Sequence, residues 1–134
     1  MTHSVFVRVY YEDTDFSGVV YHASYLRFLE RGRTEFLREM GFLSRELAAS
    51  QGLVFAVRSL QIEYRAPAAI DDLLRIDTRI ADVRGASATF QQSAFREQTL
   101  IVTAKVLVVA LIAGKPARFP KPLREALGLS ISNI

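Results

Sequence analysis

Tyr10-Tyr11-Glu12-Asp13-Thr14-Asp15-Phe16-Ser17-Gly18-Val19-Val20-Tyr21-His22-Ala23-Ser24-Tyr25, running on into Leu26-Arg27-Phe28-Leu29-Glu30-Arg31-Gly32-Arg33-Thr34-Glu35-Phe36, is the stretch around which the rest of the sequence is organised. Before it, Val5, Val7 and Val9 alternate with Phe6, Arg8 and Tyr10, a period of two that predicts a strand continuing to Tyr11. Asp, Thr, Ser and Gly between Glu12 and Gly18 break that pattern and predict a loop. Ser24 is then placed to cap a helix beginning near Tyr25. From there Tyr25, Phe28, Leu29, Gly32, Phe36 and Met40 recur at helical spacing, opposite Arg27, Arg31, Thr34, Glu35 and Arg38. Gly41 is a natural stop. A carboxylate, an imidazole and a helix start are thereby brought together within a dozen residues.

Downstream, Leu43 to Gln51 reads as a short helix ended by Gly52, and the period then returns to two. Leu60, Ile62 and Tyr64 form a strand closed by Pro67. Leu74, Ile76, Thr78 and Ile80 form the next, Arg84-Gly85 is a turn, and Ala86 to Phe95 is a weaker strand. Leu100 to Ile112 is apolar on both faces, as a central strand is. A short helix over Leu123 to Leu127 ends the pattern. Strands joined by short turns pair antiparallel, and the long helix must bury its apolar face on them. The expected architecture is α+β: one curved antiparallel sheet of about five strands around a central helix, in a single domain spanning 1–134.

The 134 residues are half apolar and 23% charged, a globular composition able to build a core. No cysteine is present, which excludes disulfides, thiolate metal sites and a cysteine nucleophile. The N-terminus lacks the pattern of a signal peptide. The longest apolar run, Val106 to Ala113, is far shorter than the ~20 residues of a membrane helix. A cytoplasmic protein without stable membrane insertion is expected. The 17 Lys and Arg exceed the 14 Asp and Glu by only three, with no basic block, so nucleic acid is not an expected partner.

Within the central stretch, Asp13 and Asp15 are two apart and point to opposite sides of an extended loop, so one braces the turn and the other is available for chemistry. His22 suits acid–base work, and His3 lies in a terminus expected to fray. A metal site from Asp13, Asp15 and His22 has neither the ligand set nor the spacing. A triad of Ser17, His22 and an Asp lacks the Gly-x-Ser-x-Gly elbow. Glu30 reads as a surface ion-pair partner of Arg27 or Arg33. No glycine-rich phosphate loop is present. The unpaired N–H groups at the helix start, near His22, can polarise a carbonyl.

Tyr11-Glu12-Asp13-Thr14-Asp15, Gly18-Val19-Val20-Tyr21-His22-Ala23-Ser24-Tyr25-Leu26 and Glu30-Arg31-Gly32-Arg33-Thr34-Glu35 resemble the signature of the 4-hydroxybenzoyl-CoA thioesterase-like hotdog family, closest to its Tol–Pal-system-associated acyl-CoA thioesterases. Tyr64-Arg65-Ala66-Pro67, Arg84-Gly85 and Arg118-Phe119-Pro120-Lys121 extend the likeness over nearly the whole chain. The resemblance implies a hotdog fold and homodimers joined sheet edge to sheet edge, pairing into homotetramers, with active sites between subunits. It implies hydrolysis of short-chain or aromatic acyl-CoA without a metal or organic cofactor. Asp15 falls at the family's catalytic aspartate, as general base or nucleophile, and His22 supplies the backbone N–H of the oxyanion hole. Gly18, Val19, Tyr21, Tyr25 and Glu30 fall at substrate-binding positions, and Arg84, Arg118 and Lys121 are candidates for the CoA phosphates. Acyl carrier protein as the acyl donor, and a non-catalytic acyl-CoA-binding module, are the alternatives. An intact Asp15 beside the helix start disfavours the module.

Overall fold

The computed structural model describes residues 1–132; the last two positions of the expected 1–134 domain lie outside the described residues. Strand β1 (His3–Arg8) leads through a 3-10 turn at Tyr11–Asp13 to helix α1 (Ser24–Glu39), then α2 (Ser44–Gln51). Strands β2 (Leu53–Tyr64), β3 (Leu73–Val83), β4 (Ser87–Arg96) and β5 (Thr99–Ile112) follow, then the two-residue β6 (Lys115–Pro116) and α3 (Lys121–Ser132). Spatial order is β1-β3-β4-β5-β2, every pairing is antiparallel, and β6 folds back onto β5. Irregularities at Val57/Ser59 in β2 and Ile80/Asp82 in β3 help the sheet to curl. The result is the hotdog arrangement of a curved sheet wrapped on α1.

Alternation in β3 and β4 sends Leu74, Ile76 and Ile80, with Ala88, Phe90 and Ala94, into the core against Phe28, Leu29 and Phe36 of α1. Helix and sheet approach closely at Gly32. A Cβ there would lie 2.8 Å from Ile76 Cγ2, 2.8 Å from Thr78 Oγ1 and 2.9 Å from Gln92 Nε2. Gln92 is buried, and its Nε2 donates to Leu29 O and Thr78 Oγ1, both at 2.9 Å. Its Oε1 accepts from Arg33 Nη1 at 3.0 Å, so one amide ties α1 to two strands.

Several elements differ from expectation for identifiable reasons. β1 ends at Arg8 because Tyr11–Asp13 turns, and His3 is a strand residue paired with Thr78 rather than frayed. β2 begins at Leu53, since the run Leu53 to Val57 carries no alternation and only its second half reads as a strand. Ser24 does not cap α1. It is the first helical residue, it is buried, and Ala23 stands at the cap without a side-chain bond. α3 is longer than Leu123–Leu127 because those two leucines anchor a full helix on the core.

Candidate active site

The loop after β1 is built on Asp13. Its carboxylate is buried, accepts from Tyr10 N–H at 2.8 Å and from Arg27 at 3.0 Å, and so joins the loop to α1. This is the bracing role expected of one of the two acids. Asp15 is the exposed one. Its N–H donates to Val19 O and its carbonyl accepts from Gly18 N–H, a tight turn closed by Gly18 at φ +89°. A side chain on Gly18 would be strained at that angle although space is open.

The Asp15 carboxyl lies below the ordinary 3.8 because the Ser17 hydroxyl and N–H donate to it, with Val19 N–H and His22 acting the same way and slight burial opposing. It is therefore a carboxylate at neutral pH. Val20 N–H donates to Ala68 O, and Val19 bridges Ala69. The next turn closes with Ser24 N–H on Tyr21 O, placing His22 and Ala23 at the start of α1. No acceptor for the His22 or Ala23 N–H is present among the described residues. His22 is exposed. Its carbonyl accepts from the Tyr64 hydroxyl at 3.0 Å, and its ring stands edge-on to Tyr64 at 6.3 Å and tilted on Tyr21 at 4.5 Å. Asp15, Gly18, Val19, Tyr21 and His22 thus gather in one corner.

The remaining candidates divide. Tyr25 is only 3% exposed, stacks among Phe28 and Tyr64, and burial pushes its hydroxyl up to about 12. It is a core residue that stays protonated. No salt bridge joins Glu30 to Arg27 or Arg33: Arg27 reaches Asp13 and Arg33 reaches Gln92, and Glu30 acts on Arg33 only as a nearby charge. Glu30 and Arg33 instead flank a cavity of about 410 Å³ lined by Leu37, Leu53, Phe55, Phe90 and Phe119. Burial pulls the Arg33 guanidinium down, and Glu30 opposes that shift.

Arg84 pairs with Asp82, Arg118 lies over Gly85, and Lys121 reaches Glu125 at 3.9 Å. These three sit where β4 begins, since Arg84 N–H bonds Ser87 O and Phe119 N–H bonds Gly85 O. The Asp15 corner is tied to the other end of β4, where Arg96 holds Pro67 O. Along β4 the two ends are roughly 30 Å apart at the usual rise per strand residue. Within one chain the basic residues do not meet Asp15. Among the described residues, no three His, Asp or Glu side chains converge as metal ligands would.

Tyr64 and Ser17 also border the candidate site, in places that the sequence reading does not give them. Tyr64 reads as a strand residue because its contact to His22 crosses 42 positions. Ser17 reads as ordinary turn chemistry, and its spacing of two from Asp15 was the one available signal.

Residues 9–127 match the thioesterase-like superfamily. The chain belongs to that superfamily. It is 47% identical over 122 residues to the acyl-CoA thioesterase YbgC of Haemophilus influenzae, covering 90% of each chain. Among solved structures, a probable thioesterase from Bartonella henselae is 47% identical with a TM-score of 0.87, over 90% of this chain and 100% of that one. A mutant 4-hydroxybenzoyl CoA thioesterase, solved in complex with 4-hydroxybenzoyl CoA, is 20% identical, covers 94% of this chain and 98% of that one, and has a TM-score of 0.88. That last likeness shows the shared hotdog fold alone. No helix among the described residues is long and apolar enough to cross a membrane.

Proposed function

We propose that this superfamily member hydrolyses acyl-CoA, with Asp15 and the start of α1 as its reaction centre. The observation that carries this reading is the pairing of an exposed, ionised carboxylate with helix-start N–H groups that have no acceptor. The thioester carbonyl oxygen accepts from the His22 N–H, where the positive end of the helix favours developing negative charge. Asp15 either takes a proton from an attacking water or attacks the carbonyl itself. In both routes the acyl–sulfur bond breaks and sulfur leaves with the electron pair, taking up a proton as CoA; when Asp15 attacks, the acyl–Asp15 anhydride formed is then cleaved by water, which releases the free acid and restores the carboxylate. Short-chain and aromatic acyl groups are the expected substrates.

The site is completed by a second copy of the chain. β2 is a twelve-residue strand at one edge of the sheet, and Val54, Val57, Leu60 and Tyr64 on it are exposed. A long apolar edge is a template for pairing, and a two-fold axis makes β2 pair antiparallel with its copy. The Leu53 end of one β2 then lies beside the Tyr64 end of the other. That brings the 410 Å³ cavity of one chain to the Asp15 corner of its partner, and turns the Arg84, Arg118 and Lys121 end toward it. The acyl group occupies that cavity, and the basic end meets the CoA phosphates in trans. Light scattering should find a dimer or a multiple of it; a monomer at the concentration of the assay would contradict this arrangement.

Release of CoA from a panel of acyl-CoAs, read with a thiol reagent, tests the function. The protein has no cysteine, so the reagent reports product alone. Saturable release with short or aromatic acyl groups is expected. Absence of turnover by folded protein, or turnover only of acyl carrier protein thioesters, would overturn the reading.

A further inference from the structure

We propose that Ser17 is a positioning residue that sets which oxygen of Asp15 does the chemistry, an inference that rests on Asp15 being the catalytic carboxylate. Ser17 N–H donates to Asp15 Oδ1 at 2.8 Å, and the Ser17 hydroxyl donates to the same oxygen. Two donors from one residue on one oxygen fix both the side-chain rotamer and the identity of that oxygen. Oδ2 takes neither Ser17 donor and is the atom that meets water or thioester, while the Val19 N–H and His22 also face the carboxylate. The turn supplies the rest of the geometry, with Asp15 N–H on Val19 O and Gly18 N–H on Asp15 O. Asp15 is exposed and would otherwise sample its rotamers freely. The same Ser17 bonds are the leading reason its carboxyl stays below 3.8. The hydroxyl therefore trades some basicity for a fixed approach.

The sign of the pH effect follows. A carboxylate held down by hydrogen bonds is active above its lowered pKa and loses activity as pH falls through it. Removing the hydroxyl while keeping the N–H raises that pKa toward its ordinary value. In Ser17→Ala the acid limb of kcat/KM against pH is expected at higher pH than in the parent. At neutral pH kcat is expected about tenfold lower with KM little changed, because positioning is lost but substrate contacts are not. Ser17→Thr keeps the hydroxyl and should restore the parental limb. In an Asp15→Asn background Ser17→Ala should cost nothing further.

A parental limb and parental kcat in Ser17→Ala would overturn the proposal. So would a further loss in the Asp15→Asn background, which would mean that Ser17 touches substrate itself. Failure of the underlying reading is separate, since it appears as an active Asp15→Asn single variant whatever Ser17 does.

Discussion

Asp15→Asn is expected to keep the fold and lower kcat for acyl-CoA hydrolysis by about 100-fold or more, in the range that acid–base groups contribute. Asn is the same shape, and its side-chain oxygen can still accept from Ser17. The position is exposed, so the thermal melt should stay close to that of the parent. What disappears is the negative charge that deprotonates water or attacks the carbonyl. The His22 N–H and the cavity are untouched, so binding should change only a few-fold, and the variant becomes a complex that holds substrate without consuming it. Steady-state rates beside a thermal melt check both halves. Activity within a few-fold of the parent, with an unchanged melt, would remove Asp15 from the mechanism.

The second large effect is structural. Gly32→Ala should destabilise the protein by about 2 kcal/mol and lower its Tm by roughly 5–10 °C. Alanine in a helix interior is ordinarily worth about 1 kcal/mol over glycine, so the expected sign opposes helix propensity. The reason is the approach of α1 to the sheet, where a Cβ would meet Ile76, Thr78 and Gln92 inside 3.0 Å. Thr78 cannot yield without loosening its buried bond from Gln92, nor Gln92 without loosening its bonds with Leu29 O, Thr78 and Arg33. Overpacking of this kind costs about 1–3 kcal/mol, and strained or broken buried hydrogen bonds add about 1–2 kcal/mol. A Tm equal to or above the parent in calorimetry would mean that helix and sheet stand further apart.

Gly32 also illustrates what the sequence discloses. Its place on the apolar face of α1 is legible from the spacing of Tyr25, Phe28, Leu29 and Phe36, and the period-two strands give the sheet. Helical spacing alone does not reveal the close approach, because the colliding atoms belong to strands 44 to 60 residues away. The division of labour between Asp13 and Asp15 is legible, since their spacing in an extended loop separates them. Arg27 as the partner of Asp13 is not, because helical spacing offers Arg27, like Arg33, to Glu30. The first half of β2 escapes notice for a physical reason as well: Leu53 to Val57 is apolar at every position, with Val54 and Val57 exposed, so no alternation marks it as a strand. The basic residues at Arg84, Arg118 and Lys121 are easily found in sequence, yet only the topology shows that they stand at the far end of the sheet from Asp15 in their own chain.

The carbonyl stretch of an isotopically labelled acyl-CoA bound to Asp15→Asn tests the central arrangement most directly. If the thioester oxygen lies against the His22 N–H at the helix start, the bound carbonyl is polarised before any chemistry and its infrared band moves to lower frequency than in water. A bound thioester whose carbonyl band stays at or above its solution frequency would contradict that placement.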